Sequence, residues 1–146
     1  TLDLLDRSVE LNEAEKFALL THCEEDPKKL QVFLETFKPN GEIIDTVFLW
    51  AKVKHLFFRT DSLSVLKLFE TCDAMRRPER LHKMLHVEQT IFGFDVQPWI
   101  NAFETVKTIN CAKIAACCTD KSTIGNAIRQ ARLTAIEEST ANALVH

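Results

Sequence analysis

Leu30, Phe33, Leu34 and Phe37 recur at i, i+3, i+4 and i+7 directly behind Asp26-Pro27. This union of an apolar stripe with its own start signal constrains the chain more than any other feature. Asp caps a helix, Pro fits the first helical position because its missing N–H would be unpaired there anyway, and the stripe supplies one face to bury. The same grammar repeats along the chain. Asn12 with Glu15 forms a capping box of the N-x-x-E type, predicting a helix to about Cys23. Pro39-Asn40-Gly41 breaks the next helix, and Ile43, Ile44, Val47, Trp50, Ala51, Lys54 and Phe58 predict another over 41–58. Asp61-Ser62 starts a further one around Val65, Leu66, Leu68 and Phe69, ending near Asp73. Pro78 opens the one after it and Gly93 closes it, while Gln97-Pro98 opens a helix carrying Trp99, Ala102, Phe103 and Val106. Asn110 caps a short helix through Cys117. Ser122 is expected to cap the last, whose apolar face is Ile124, Ala127, Ile128, Ala131, Leu133, Ala135 and Ile136, with fraying from about Ser139. No segment alternates with period 2, so the expected fold is all-α, a compact bundle of about eight or nine helices with no sheet.

The chain has 146 residues, 46% hydrophobic and 27% charged, with three Gly and four Pro, which fits a packed helical unit and excludes a disordered or fibrous one. A domain near this length buries roughly 68–70% of the surface of its unfolded chain, so neither disulfides nor metal are needed to hold it together. No apolar run reaches the ~18 residues of a membrane span, and no membrane partner is expected. Residues 1–6 lack the basic start and small-residue cleavage site of a signal peptide. The missing initiator Met admits two readings, Met removed before Thr1 or a piece of a longer chain. The five Cys have no CxxC spacing and are expected to be reduced thiols, which points to a cytoplasmic location.

Charge is unevenly spread. Residues 1–73 carry 9 basic against 14 acidic side chains, and residues 74–146 carry 9 against 7, within a net charge of −3. That asymmetry permits a polyanion-facing surface in the second half. Arg76, Arg77, Arg80 and Lys83 form the densest basic group, at a helix start fixed by Pro78, where guanidinium forks and free amides both favour phosphate. The alternative is a solvated basic turn neutralised by Asp73 and Glu79. Lys121, Arg129 and Arg132 form a second group. His82 and His86 share an i, i+4 spacing with Glu79 a turn before, yet they do not make H-E-x-x-H and no third ligand lies nearby, so no metal site is assigned. Adjacent Cys117 and Cys118 face different ways on a helix. No P-loop, dinucleotide fingerprint or Ser/His/Asp arrangement is present, and no catalytic residue is assigned.

The stretch from Lys67 to Arg80, with Asp73-Ala74-Met75-Arg76-Arg77-Pro78-Glu79-Arg80 at its heart, resembles the "D-A-x-R-[RK]-P-x-R" segment in the C-terminal half of bacterial CCA-adding enzymes, the tRNA nucleotidyltransferases. Ile124-Gly125-Asn126-Ala127-Ile128-Arg129-Gln130-Ala131-Arg132 resembles their final helix, "I-G-x-A-I-R-x-A-R". Further back, Phe17-Ala18-Leu19-Leu20-Thr21-His22-Cys23 resembles the "F-A-x-L-x-H-D" opening of the metal-dependent HD phosphohydrolase domain of multifunctional members. Cys23 stands where the metal-binding Asp belongs, the histidine-bearing loop is shortened to 24–29, and Ala51 falls where another ligand would sit. After Glu88, Gln89-Thr90-Ile91-Phe92 replaces the family's Arg-containing turn.

The resemblance covers about residues 8–138 and only the back half of the family's chain. It implies a degenerate HD-like helical region over 1–73 and a basic helical tRNA-binding tail over 74–146, packed as one unit. It further implies a role in holding the tRNA acceptor arm through Arg76, Arg77, Arg80, Lys83, Lys121, Arg129 and Arg132 while a head domain, absent here, adds C, C and A to the 3′ end. No cofactor is expected in this chain; magnesium with ATP and CTP belongs to that head on the full-length chain. The competing reading is a stand-alone helical interaction or dimerisation module without enzymatic activity, with its surface around Phe57-Phe58 and Phe92-Phe94.

Overall fold

The computed structural model describes residues 11–145, with side chains to residue 141. Residues 1–6, read for a signal peptide, lie outside that range, as do the outermost residues of the 1–73 and 74–146 regions. The described residues form eight α-helices: α1 (Glu13–Leu20), α2 (Pro27–Phe37), α3 (Gly41–Val53), α4 (Ser62–Thr71), α5 (Pro78–Phe92), α6 (Gln97–Lys107), α7 (Cys111–Cys117) and α8 (Ile124–Val145). Two short 3-10 turns, Lys54–Phe58 and Lys121–Thr123, join them, and no strand occurs among the described residues. The fold is all-α, as the periodicity requires.

The caps expected at Asn12, Asp26, Asp61 and Asn110 sit where the sequence places them, because they are local chemistry, and Asn40 adds one more. Asn12 accepts from the Glu15 amide while the Glu15 carboxylate accepts from the Asn12 amide, both at 2.9 Å. Asp26, Asn40, Asp61 and Asn110 each accept from an amide two or three residues on. Gly93 ends α5 in the left-handed region at φ 67°, where a Cβ would be strained.

Three boundaries differ from expectation. α1 stops at Leu20 rather than Cys23, since the Thr21 hydroxyl donates to the Phe17 and Ala18 carbonyls and the chain turns. The helix expected over 41–58 tightens to 3-10 geometry at Lys54. Asp120, not Ser122, supplies the cap before α8: it accepts from the Ser122 amide at 2.9 Å and opens the 3-10 turn from which α8 grows. α8 extends through Val145, past Ser139.

One core draws on nearly every element, from Leu11 to Ile136, with Trp50, Leu66, Leu68, Leu81, Met84 and Phe103 almost fully enclosed. A smaller cluster of Ala14, Leu30, Leu34, Ile43 and Val47 fastens α2 into the corner between α1 and α3. α8 lies across α4 and α6 and buries Ile136 completely. That crossing sets Arg129 against Glu70 and Arg132 beside Asp73 and Met75, at the carboxyl end of α4.

Candidate nucleic-acid interface

The turn from α4 into α5 sets the first basic group. α4 ends in a Schellman-type arrangement, in which the Ala74 amide donates to the Phe69 carbonyl and the Asp73 amide to the Glu70 carbonyl, forcing Asp73 to φ 54°. Asp tolerates this left-handed conformation better than most residues. From there the Asp73 carbonyl accepts from the Arg76 and Arg77 amides at 3.1 and 2.8 Å, and its carboxylate accepts from Arg76 Nε at 2.8 Å. Arg76 is thus tethered while 78% of its side chain stays exposed. Arg77 occupies the position before Pro78 with no side-chain partner among the described residues, projecting at the amino end of α5.

Arg80 and Lys83 behave differently. Arg80 donates to Asp45 at 3.0 Å and Lys83 to Glu42 at 3.0 Å, each with only 19% of its side chain exposed. The two carboxylates lie i, i+3 on α3 and the two cations i, i+3 on α5, so matched spacing clamps one helix against the other. Neutralisation within the segment holds for Asp73 with Arg76. Glu79 forms no ion pair among the described residues, and α3 takes its expected place.

The second group meets the first. Arg129 Nε donates to Glu70 at 2.9 Å, linking α8 to α4 across 59 residues. Beside it, a cavity of about 210 Å³ is lined by Glu70, Asp73, Met75 and Arg132 over an apolar floor of Leu66, Phe69 and Val106. Arg132 forms no ion pair among the described residues, and its buried Nε has no partner. Lys121 is exposed in the 3-10 turn and likewise unpaired among the described residues. Of the seven cations singled out from sequence, Arg76, Arg80, Lys83 and Arg129 are held internally, whereas Arg77, Lys121 and Arg132 are not.

Around His22 the arrangement is that of a packed core. Trp50 Nε1 donates to His22 Nδ1 at 3.3 Å, the imidazole lies 5.0 Å from the Phe92 ring, and Lys54 Nζ donates to the His22 carbonyl. Burial, then Lys54, hold the imidazole below its ordinary pKa, favouring the neutral form that accepts the indole N–H. Cys23 is exposed and Ala51 packs on the smaller cluster. His86 pairs with Glu15 at 3.2 Å while His82 leans edge-on to Phe103, so the i, i+4 histidines serve separate neighbours. No group of three His, Cys, Asp or Glu able to hold a metal ion occurs among the described residues. All five cysteines are free, and burial pushes the Cys72 thiol up to about 12.

Sequence reasoning passed over Asp45 and Glu42 as partners of Arg80 and Lys83; the matching i, i+3 spacing was the available signal. It also passed over Glu88, 1% exposed with Oε1 unpartnered, whose carboxyl burial pushes up to about 7. Nothing local in the sequence marks it.

Fold and geometry together define an all-α unit with an arginine-rich junction between α4, α5 and α8. The chain is 38% identical over 72 residues to a CCA-adding enzyme of Bordetella pertussis, covering 49% of this chain and 20% of that one. It is 33% identical over 85 residues to a multifunctional CCA protein of Dechloromonas aromatica, covering 51% and 21%, and 29% identical over 116 residues to one of Aromatoleum aromaticum, covering 70% and 28%. The chain therefore spans between a fifth and three tenths of the length of these curated relatives. No protein-family model and no solved structure matches it. No helix among the described residues is long and apolar enough to cross a membrane.

Proposed function

We propose that this chain is the helical, tRNA-holding region of a CCA-adding tRNA nucleotidyltransferase, positioning the acceptor arm for a head domain on the same full-length polypeptide. One observation carries the reading: the two segments that resemble the family meet at the Arg129–Glu70 contact and the Arg132 cavity, with Arg77 and Lys121 free nearby in sequence. Double-helical RNA is gripped through phosphates and 2′-OH groups, which calls for placed cations more than for a large net charge. In this reading residues 74–146 supply the RNA contacts and 1–73 a scaffold, in a cytoplasmic enzyme. Magnesium, ATP and CTP act at the head.

The unpaired cations carry the contact, and the paired ones hold helices together. Titrating tRNA against the chain over a range of salt tests this. Arg77→Ala should weaken binding uniformly across tRNA sequences and lower the salt slope by about one unit, with Tm unchanged. Arg132→Ala should do the same, with some loss of Tm because the residue is half-buried. Lower Tm with unchanged RNA affinity in both variants would remove these residues from the interface.

A further inference from the structure

Residues of α4, α6 and α8 enclose an apolar recess of about 400 Å³, on the side of α4 away from the basic turn. That volume lies within the roughly 300–1,000 Å³ usual for a small-molecule site. Its floor is Val65 from α4 with Trp99 and Ala102 from α6, all buried, and its rim is Thr60, Asp95, Pro98 and Thr140, all exposed. The floor is held in place from behind, because the Trp99 ring packs edge to face on Phe57 at 5.7 Å.

The rim decides what such a floor can receive. Asp95 is the one charged residue in the lining, and no cation lines the recess. Its Oδ1 accepts from the Gln97 amide at 3.0 Å, which fixes the carboxylate at the start of α6, while its Oδ2 has no partner among the described residues. Thr140 spends its hydroxyl proton on the Ile136 carbonyl at 2.9 Å, so toward a ligand its oxygen only accepts. The Trp99 indole N–H is buried, out of a ligand's reach, and gives an anion nothing to bind. A carboxylate or phosphate head would therefore meet Asp95 with no cation to receive it. A protonated amine brings positive charge and N–H donors to those oxygens, and its hydrocarbon body removes the floor from water.

We propose that this recess is a binding site for a small organic cation, a protonated amine on an apolar body, with Asp95 taking the ammonium and Val65, Trp99 and Ala102 the hydrocarbon. It uses no residue of the arginine junction and stands whether or not the chain holds tRNA.

Three probes that share a six-carbon chain test it: n-hexylammonium, n-hexanol and hexanoate, each titrated into isotopically labelled protein and followed by amide shifts in NMR spectra. The shifts should centre on Val65, Trp99 and Ala102. The ammonium should bind at least ~5-fold more tightly than the alcohol, with hexanoate weakest, and added KCl should narrow that gap. Asp95→Asn keeps the oxygen that accepts from the Gln97 amide, so its Tm should match the wild type. In that variant the ammonium should fall to within about 2-fold of the alcohol, whose own affinity stays in place. Absence of saturable shifts around the recess would overturn the proposal, as would equal affinity for ammonium and alcohol in the wild type. A preference for the ammonium that survives Asp95→Asn, or ammonium shifts spread over the surface carboxylates at large, would overturn it too.

Discussion

Glu88 shows how one side chain can set the pH response of the molecule. It lies in the core on α5, and burial favours its neutral form, raising the carboxyl from an ordinary 4.5 to about 7. A raised carboxyl favours the folded state where it is protonated, so its contribution is fully present below pH 4.5 and is lost as pH rises through about 7. His22 acts with the opposite sign. Its imidazole is held below 6.5, so folding favours the neutral ring and stability falls as pH drops below that value. Glu88→Gln cannot ionise. Its urea stability should lose the wild type's decline toward pH 8 and keep only the fall below pH 6.5 that His22 contributes, with a gain on the order of 3 kcal/mol at the alkaline end. An unchanged decline in the variant would place the pH response elsewhere. The residues around His22 carry a second expectation. With its Nδ1 engaged by Trp50, and with Cys23 and Ala51 standing, by the resemblance to the HD phosphohydrolase domain, where an Asp and another ligand would be, metal-stimulated hydrolysis of 2′,3′-cyclic nucleotides is not expected. Activity dependent on nickel or magnesium and lost in His22→Ala would show the scaffold still live.

Among the elements, starts and stops were legible in the sequence because they depend on neighbours. A capping Asn and the amide it serves are three residues apart, so Asn12 and Asn110 read correctly, and a positive φ at Gly93 needs only the missing Cβ. The 3-10 tightening at Lys54 was not legible, since residues 41–58 carry one continuous helical stripe. Asp120 and Ser122 are both good caps two residues apart, and propensity does not choose between them. Ionic partners were hardest to foresee: Asp45 is 35 residues from Arg80, and Glu42 is 41 from Lys83. Those two bridges join α3 to α5, and each cation is largely buried. Removing Arg80 should leave Asp45 without its partner and lower stability by roughly 0.5–1 kcal/mol, while a cycle with Asp45→Ala recovers the coupling. RNA affinity should stay within about 2-fold of wild type, because a guanidinium held by Asp45 with only 19% of its side chain exposed has little to offer a phosphate. A large affinity loss at constant Tm would mean that Arg80 leaves Asp45 to bind RNA.

At the scale of the whole molecule, the net charge of −3 makes distribution decide the electrostatics. α8 crosses α4 and carries Arg129 and Arg132 to the turn that presents Arg76 and Arg77, so two basic segments that look independent in sequence become one region. The sequence located both groups, but only the fold divides them into cations already bonded to Asp73, Asp45, Glu42 and Glu70 and cations left over. That division has a thermodynamic signature. Each phosphate neutralised by a free cation releases condensed counterions, giving a slope of about −0.9 in log affinity against log salt. A cation that must first leave a carboxylate frees a negative charge beside the RNA, which opposes the gain. If all seven cations bound phosphate the slope would approach about −6; with Arg77, Lys121 and Arg132 alone it should lie near −3. Anisotropy titrations of the wild type with tRNA across KCl concentrations should give the shallower value, and the triple Ala variant should flatten it toward zero. A wild-type slope near the steeper limit would mean that the bridges to α3 and α4 open on binding, and the interface would then include the clamp between α3 and α5.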